Sequence, residues 1–201
     1  MVSSMGRRRQ HDESTATSLL DAAEALIAKE GPEALSLRDV AHDAGTTTRA
    51  VYTLFGSKDA LLGALGTRAF DFLGKEIGEL PTTDRLEDDI VEAALVFRQF
   101  AIEHPALFSV AFHRADPLVA PRFRPAASEA LAVLYQRFQL LADAGLLGGR
   151  SVPEAALQFH ALCEGLASIE LRPASTPVRP DWEKLWRSAV RALVSGFANS
   201  A

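Results

Sequence analysis

The chain has 201 residues, of which 48% are hydrophobic, 23% charged and 7% aromatic; this is globular composition with a real core, and it excludes a low-complexity chain. No apolar run approaches the roughly 18 residues of a membrane helix, and no apolar segment of the secretory type follows the N-terminal arginines. A net charge of −5 excludes a uniformly basic chain, and the single cysteine, Cys163, has no partner for a disulfide within the chain, so a cytoplasmic setting is expected.

Helical spacing dominates and strand signals are almost absent. Residues 1–13, with Arg7, Arg8 and Arg9 in a row, are expected to form a disordered basic arm. From Ser14 to Glu30, Leu19, Ala22, Ala23, Leu26 and Ile27 recur at helical spacing, and Gly31-Pro32 ends that helix. Ser36 and Asp39 have the spacing of a capping box, and they open a short helix with Leu37, Val40, Ala41 and Ala44 inward, closed by Gly45. A second cap at Thr46 or Thr47 opens another helix with Ala50, Val51, Leu54 and Phe55 toward the core. Gly56 ends it, and Ser57 caps the next. Two short helices joined through a glycine turn make residues 14–56 a three-helix unit with a helix-turn-helix signature.

The remaining residues, 57–201, read as a larger helical body. A long helix runs from Ser57 to about Leu80, followed by one over residues 85–103 and a short apolar piece from Ala106 to His113. A loop at Arg114–Pro117 leads into a helix of about 25 residues reaching Leu147, and Gly148-Gly149 breaks it. Val152–Leu171 and Asp181–Phe197 are the last two helices, separated by a loop with three prolines between Arg172 and Pro180. The expectation is an all-α protein of about nine helices, a three-helix head on a larger body.

With Val51, Leu54 and Phe55 inward, Thr47, Thr48, Arg49, Tyr52 and Thr53 face solvent or a partner. Threonine can bond base edges or touch a thymine methyl, and arginine can hold guanine O6 and N7 together. The alternative is a solvated polar face. Lys58 beside Ser57 places an ammonium next to open helix-start amides, a pairing suited to phosphate. Tyr52 can offer its hydroxyl outward or pack its ring, and Arg38 lies in the first turn of its helix, within reach of a backbone or of Asp39 and Asp43. Together with Ser36 and Thr46 at the caps, these residues form the candidate DNA-binding set. The Arg7–Arg9 arm could enter a minor groove, raise the on-rate or remain a solvated terminus.

The stretch AAEALIAKEGPEALSLRDVAHDAGTTTRAVYTLFGSKDALL resembles the DNA-binding head of the TetR family of bacterial transcriptional repressors, over about a quarter of the chain. The matching order is a helix ending at glycine, a capped helix with VA and AG, a short helix ending Tyr-x-x-Phe, then Ser-Lys-x-x-Leu. FRQFAIEHPALFSVAF is similar to a C-terminal ligand-domain subgroup of that family, the WHG type, although His160-Ala-Leu-Cys163-Glu164-Gly165 stands where that subgroup often has tryptophan and His-Gly. The resemblance implies a ligand-responsive regulator, a repressor, bound as a homodimer to palindromic DNA, with Lys58 as a phosphate clamp and the last two helices as the dimer bundle. Leu162, Leu166, Ile169, Val190, Leu193 and Phe197 are the interface candidates. Phe97, Phe100, Phe108, Phe112, His113, Tyr135, Phe138 and His160 are candidates for a pocket holding a small apolar or aromatic effector, with simple core as the alternative.

No cofactor or metal is expected. His160 and Glu164 stand at i, i+4, but two ligands are too few to specify a metal site. The rival class is a helical enzyme, yet the chain carries no GxSxG, Walker A, HExxH or GxGxxG pattern. His11, His42, His104, His113 and His160 lack metal-ligand spacing, and Cys163 lies among leucines. A third reading keeps DNA binding without an effector.

Overall fold

The structure, a computed structural model, describes residues 3–113, 117–172 and 180–198, with side chains from residue 12 onward. Among these residues it is all-helical, with nine α-helices and no strand. They are α1 (Ser3–Glu30), α2 (Leu37–Asp43), α3 (Thr48–Leu54), α4 (Lys58–Glu79), α5 (Leu86–Glu103), α6 (Pro105–Phe108), α7 (Ala120–Asp143), α8 (Val152–Glu170) and α9 (Trp182–Ala198). A 3-10 turn, Pro32–Ala34, joins α1 to α2, and α6 runs into a π turn, Ser109–His113. None of the described helices is long and apolar enough to cross a membrane.

Two expectations about boundaries are corrected. Helix α1 begins at Ser3, so the segment expected as a disordered arm continues the helix, although the side chains of Arg7, Arg8 and Arg9 lie outside the described residues. Helix α7 stops at Asp143, short of Leu147. The cause is a glycine turn: Gly145 takes φ +71°, its amide bonds the Ala142 carbonyl, and the Leu146 amide bonds back to Leu141. Helix α8 begins at Val152 as expected, and a full capping box opens it. The Ser151 hydroxyl accepts from the Glu154 amide at 3.4 Å, and the Ser151 amide donates to the Glu154 carboxylate at 2.8 Å. The loops expected around residues 114–116 and 173–179 lie outside the described residues.

The chain divides into two compact units, one of Met1–Ala69 and Ala106–Arg124, the other of Phe70–Pro105 and Pro125–Ala201. The division therefore falls inside α4 and α7 rather than at residue 57, because Leu61, Leu62 and Leu65 of α4 are buried at 0–1% exposure with the head. In the first unit α1, α2 and α3 pack on one another around Leu19, Ala23, Ile27, Val40 and Val51. Arg68 of α4 ties to α1 by a 2.6 Å ion pair with Asp21 and stands 3.5 Å from Glu24. Gly63 and Gly66 allow close approach of Arg122 and Phe123 at the start of α7.

In the second unit α5 packs against α8 and α9, and α8 against α9. The core holds Ile90, Phe97, Phe100, Phe138, Phe159, Cys163, Trp186, Val190, Val194 and Phe197. A polar triad threads it. The Arg98 guanidinium donates to both oxygens of Glu170 at 2.6–3.1 Å, and Trp186 Nε1 donates to the same carboxylate at 2.8 Å, joining α5, α8 and α9. Breaking such a buried pair on one side leaves an uncompensated charge, which makes the triad costly to disrupt.

Candidate nucleic-acid interface

The turn between α2 and α3 is set by local chemistry. The Gly45 amide bonds the His42 carbonyl at 3.0 Å and the Thr46 amide bonds Ala41 at 2.9 Å, the double closure that needs a left-handed residue, and Gly45 supplies it at φ +65°. Thr47 then caps α3, its hydroxyl oxygen accepting from the Ala50 amide at 3.2 Å. At the start of α2, Ser36 accepts from the Asp39 amide at 3.5 Å, which is half of the capping box expected there. Beyond the end of α3 at Leu54 the chain turns at Gly56, φ +80°, and the Ser57 hydroxyl caps α4 by accepting from the Ala60 amide at 3.1 Å.

Val51 is fully buried and fixes the rotation of α3. At about 100° per residue, Arg49 and Thr53 lie roughly opposite Val51, with Tyr52 and Thr48 on the flank. Arg49, Tyr52 and Thr53 are indeed exposed, Tyr52 at 56%, while Thr48 is half-buried. The Tyr52 ring therefore faces outward. Thr53 spends its hydroxyl proton on the Arg49 carbonyl at 2.8 Å, so its methyl group and oxygen are what it can present. Arg38 is exposed and, like Arg49, makes no ion pair among the described residues; Asp43 pairs instead with His42 at 2.9 Å. Both guanidiniums keep their donors for an external acceptor. Lys58 is half-buried, and its ammonium donates to the Glu33 carbonyl at 3.2 Å.

The body candidates fall into separate groups. Phe108, Phe112 and His113 meet in the first unit, with ring centroids 5.3 and 4.8 Å apart. In the second unit Phe97 lies 6.5 Å from Phe100 and 6.1 Å from His160, and Phe138 packs on Phe159 at 5.5 Å. Tyr135 is half-buried on α7. Burial holds the His160 imidazole below its usual range, offset by Glu164 at 3.5 Å. Burial alone pushes the Cys163 thiol far up, which leaves an inert structural thiol rather than a nucleophile. Among the described residues no cluster of three or more His, Cys, Asp or Glu is placed to hold a metal.

Of the interface candidates, Val190 and Phe197 are buried at 0% and 1% in the chain's own core, so they are corrected to core residues. Leu162, Leu166 and Leu193 are half-buried, and Ile169 is 54% exposed. Leu157, exposed at 67%, was not among the candidates read from the sequence. With Ala161, Gly165 and Ile169 it recurs every four residues along the exposed side of α8, a spacing that could have found it.

A helix-turn-helix whose second helix turns an arginine, a tyrosine and hydroxyls outward, in an all-helical chain, defines the class of helix-turn-helix regulators. Known proteins agree. Residues 19–65 match the family profile described as bacterial regulatory proteins, tetR family, and residues 90–193 match the tetracyclin repressor-like C-terminal domain. The chain belongs to the TetR family of bacterial regulators, and family and fold together point to a transcriptional regulator rather than an enzyme.

An HTH-type transcriptional regulator of Mycobacterium bovis is 26% identical over 116 residues, 56% of this chain and 50% of that one. An HTH-type transcriptional repressor of Mycobacterium tuberculosis is 37% identical over 83 residues, 41% of this chain and 42% of that one. The chain thus spans about half the length or less of these curated relatives. A tetR-family regulatory protein from Rhodococcus shares the fold at TM-score 0.72 and 16% identity, over 91% of this chain and 96% of that one.

Proposed function

We propose that the chain is a ligand-responsive transcriptional repressor that binds palindromic operator DNA as a homodimer in the cytoplasm. The observation that carries this reading is the outward face of α3. Val51 is buried, Arg49 and Tyr52 are exposed, and the Arg49 guanidinium has no ion-pair partner among the described residues. Arg49 and Thr48 read base edges, Thr53 adds a methyl contact, and Thr47 and Thr46 at the turn, with Ser36 and Arg38 on α2, lie along the backbone. Tyr52 and Lys58 act on phosphates, Lys58 keeping donors beyond the one given to Glu33.

One head reads only a few base pairs, so two heads about 34 Å apart are needed for a full site. The exposed α8 stripe of Leu157, Ala161, Gly165 and Ile169, flanked by Leu162, Leu166 and Leu193, is the self-complementary surface for a two-fold pair. Leu157→Glu should convert the dimer to monomer in light scattering. An effector bound in the body favours one conformation by its differential affinity and so changes DNA affinity.

Selection of bound fragments from a random DNA pool tests the reading. A palindromic consensus is expected, lost in Arg49→Ala, and recovery of no consensus overturns it. Repeating the selection with candidate compounds identifies an effector. One observation favours a second reading, DNA binding without an effector: Phe100, Phe108 and Phe138 are at 0–1% exposure in ring-packed surroundings, as core residues are.

A further inference from the structure

The C-terminal end of α4 is finished by a residue far away in sequence. An α-helix ends with carbonyls that have no partner in the helix, and here no glycine closes the turn, because Leu80 leads straight into Pro81. Instead Arg137 of α7 donates to three carbonyls: to Ile77 at 3.0 Å from Nε and 2.6 Å from Nη2, to Leu80 at 2.6 Å, and to Pro81 at 3.4 Å. Arg137 is only 8% exposed, and the carboxylate that favours its charge, Asp89, accepts from the Thr83 amide and hydroxyl at 2.8 Å each. The guanidinium is thus held by backbone carbonyls rather than by a carboxylate.

Beside this clamp the two helices meet across glycines. A Cβ on Gly74 would lie 3.3 Å from Ala130 Cα, and one on Gly78 would lie 3.6 Å from Val133 Cγ1. Glycines present no knob to interlock with the facing helix, so they oppose axial sliding weakly. The directional element at this contact is the Arg137 fork, which fits one register of the α4 carbonyls and no other.

We propose that Arg137 is a positioning residue: its fork on the Ile77, Leu80 and Pro81 carbonyls sets the axial register of α4, and thereby the spacing of the two heads on DNA. The consequence for DNA rests on the proposed function above, since α4 is one continuous helix that begins at Lys58, directly after the recognition helix. The clamp itself does not rest on it.

The test uses the full chain with Arg137→Met and Arg137→Lys. Hydrogen exchange of the 77–84 segment in Arg137→Met should rise about tenfold or more beyond any rise in the Cys163 region, and by less in Arg137→Lys, which keeps the charge but not the fork. In DNA selection, the half-site spacing should be narrow for the wild type, broad for Arg137→Met and intermediate for Arg137→Lys. A merely structural arginine would lower the folded fraction and leave the spacing preference where it was. Exchange that rises evenly across the body, or an unchanged spacing distribution, overturns the proposal. If Arg137→Met does not fold, Arg137→Lys and Gly74→Ala carry the same readouts, Gly74→Ala being expected to push α4 off α7 and act in the same direction. If the wild type selects no DNA, the functional reading fails by itself, and the exchange measurement still decides the clamp.

Discussion

The two ends of α4 are finished in opposite ways. At its start, Ser57 supplies a local cap and Lys58 reaches the Glu33 carbonyl 25 positions earlier, and both side chains are partly open to solvent. At its end, three carbonyls are taken by a buried guanidinium that stands 60 positions after Ile77. An end finished by its neighbours keeps donors for an outside partner. An end finished by a remote buried cation serves the fold. Substitutions at the start should therefore act on the strength of binding, and substitutions at the end on stability and, through the register of α4, on half-site spacing.

The largest effect is expected at the buried end. Arg137→Met strips its donors from the buried Ile77 carbonyl and from the part-buried Leu80 and Pro81 carbonyls, and at about 1–3 kcal/mol for an unsatisfied buried group the loss in unfolding free energy should be about 2–3 kcal/mol. Urea denaturation measures it, and a loss below about 1 kcal/mol would show that water or a neighbour satisfies the carbonyls equally well. Next comes Arg49→Ala at the proposed interface, just before α4 begins. Losing a bidentate base contact should cost about 1–3 kcal/mol per half-site, roughly 5- to 150-fold in affinity by fluorescence anisotropy. Because Arg49 is exposed and makes no ion pair among the described residues, the variant's stability should stay within about 0.5 kcal/mol of wild type. An Arg49→Ala protein that unfolds early but binds normally would break the contrast.

The same contrast explains what the sequence made legible. Helices α2 and α3, the glycine between them and the threonine and serine caps are visible because each depends on residues within four or five positions. Arg137 is not visible that way: flanked by Gln136 and Phe138, it reads as one more surface cation on an amphipathic helix, and its partners lie on another helix and in the loop beyond it. Helix α9 shows a related limit. Trp186, Val190, Val194 and Phe197 form one apolar stripe, and periodicity reveals a stripe without saying whether the chain or a second copy covers it. Here the chain covers it, which is why Val190 and Phe197 belong to the core. Two exposed apolar positions, Leu157 and Ile169, sit on α8, where small residues at 161 and 165 dilute the pattern.

Smaller changes at the open end sharpen the comparison. Ser57→Ala removes a cap hydroxyl and should cost about 1 kcal/mol in urea unfolding, well under the loss at Arg137. Equal losses would mean that both ends are structural, and the division of labour along α4 would fall.

The smallest change in stability, within about 0.5 kcal/mol, is expected for Lys58→Ala. Its single bond to the Glu33 carbonyl is made by a half-buried side chain on a surface turn, and water can replace it. If the ammonium also neutralises one phosphate, the variant should bind all DNA sequences more weakly and in the same proportion. The slope of log affinity against log salt should then fall in magnitude by about one for each protomer. A change in sequence preference would instead place Lys58 at a base edge. An unchanged slope, with stability down by more than about 1 kcal/mol, would reassign it to the turn it touches in the free protein.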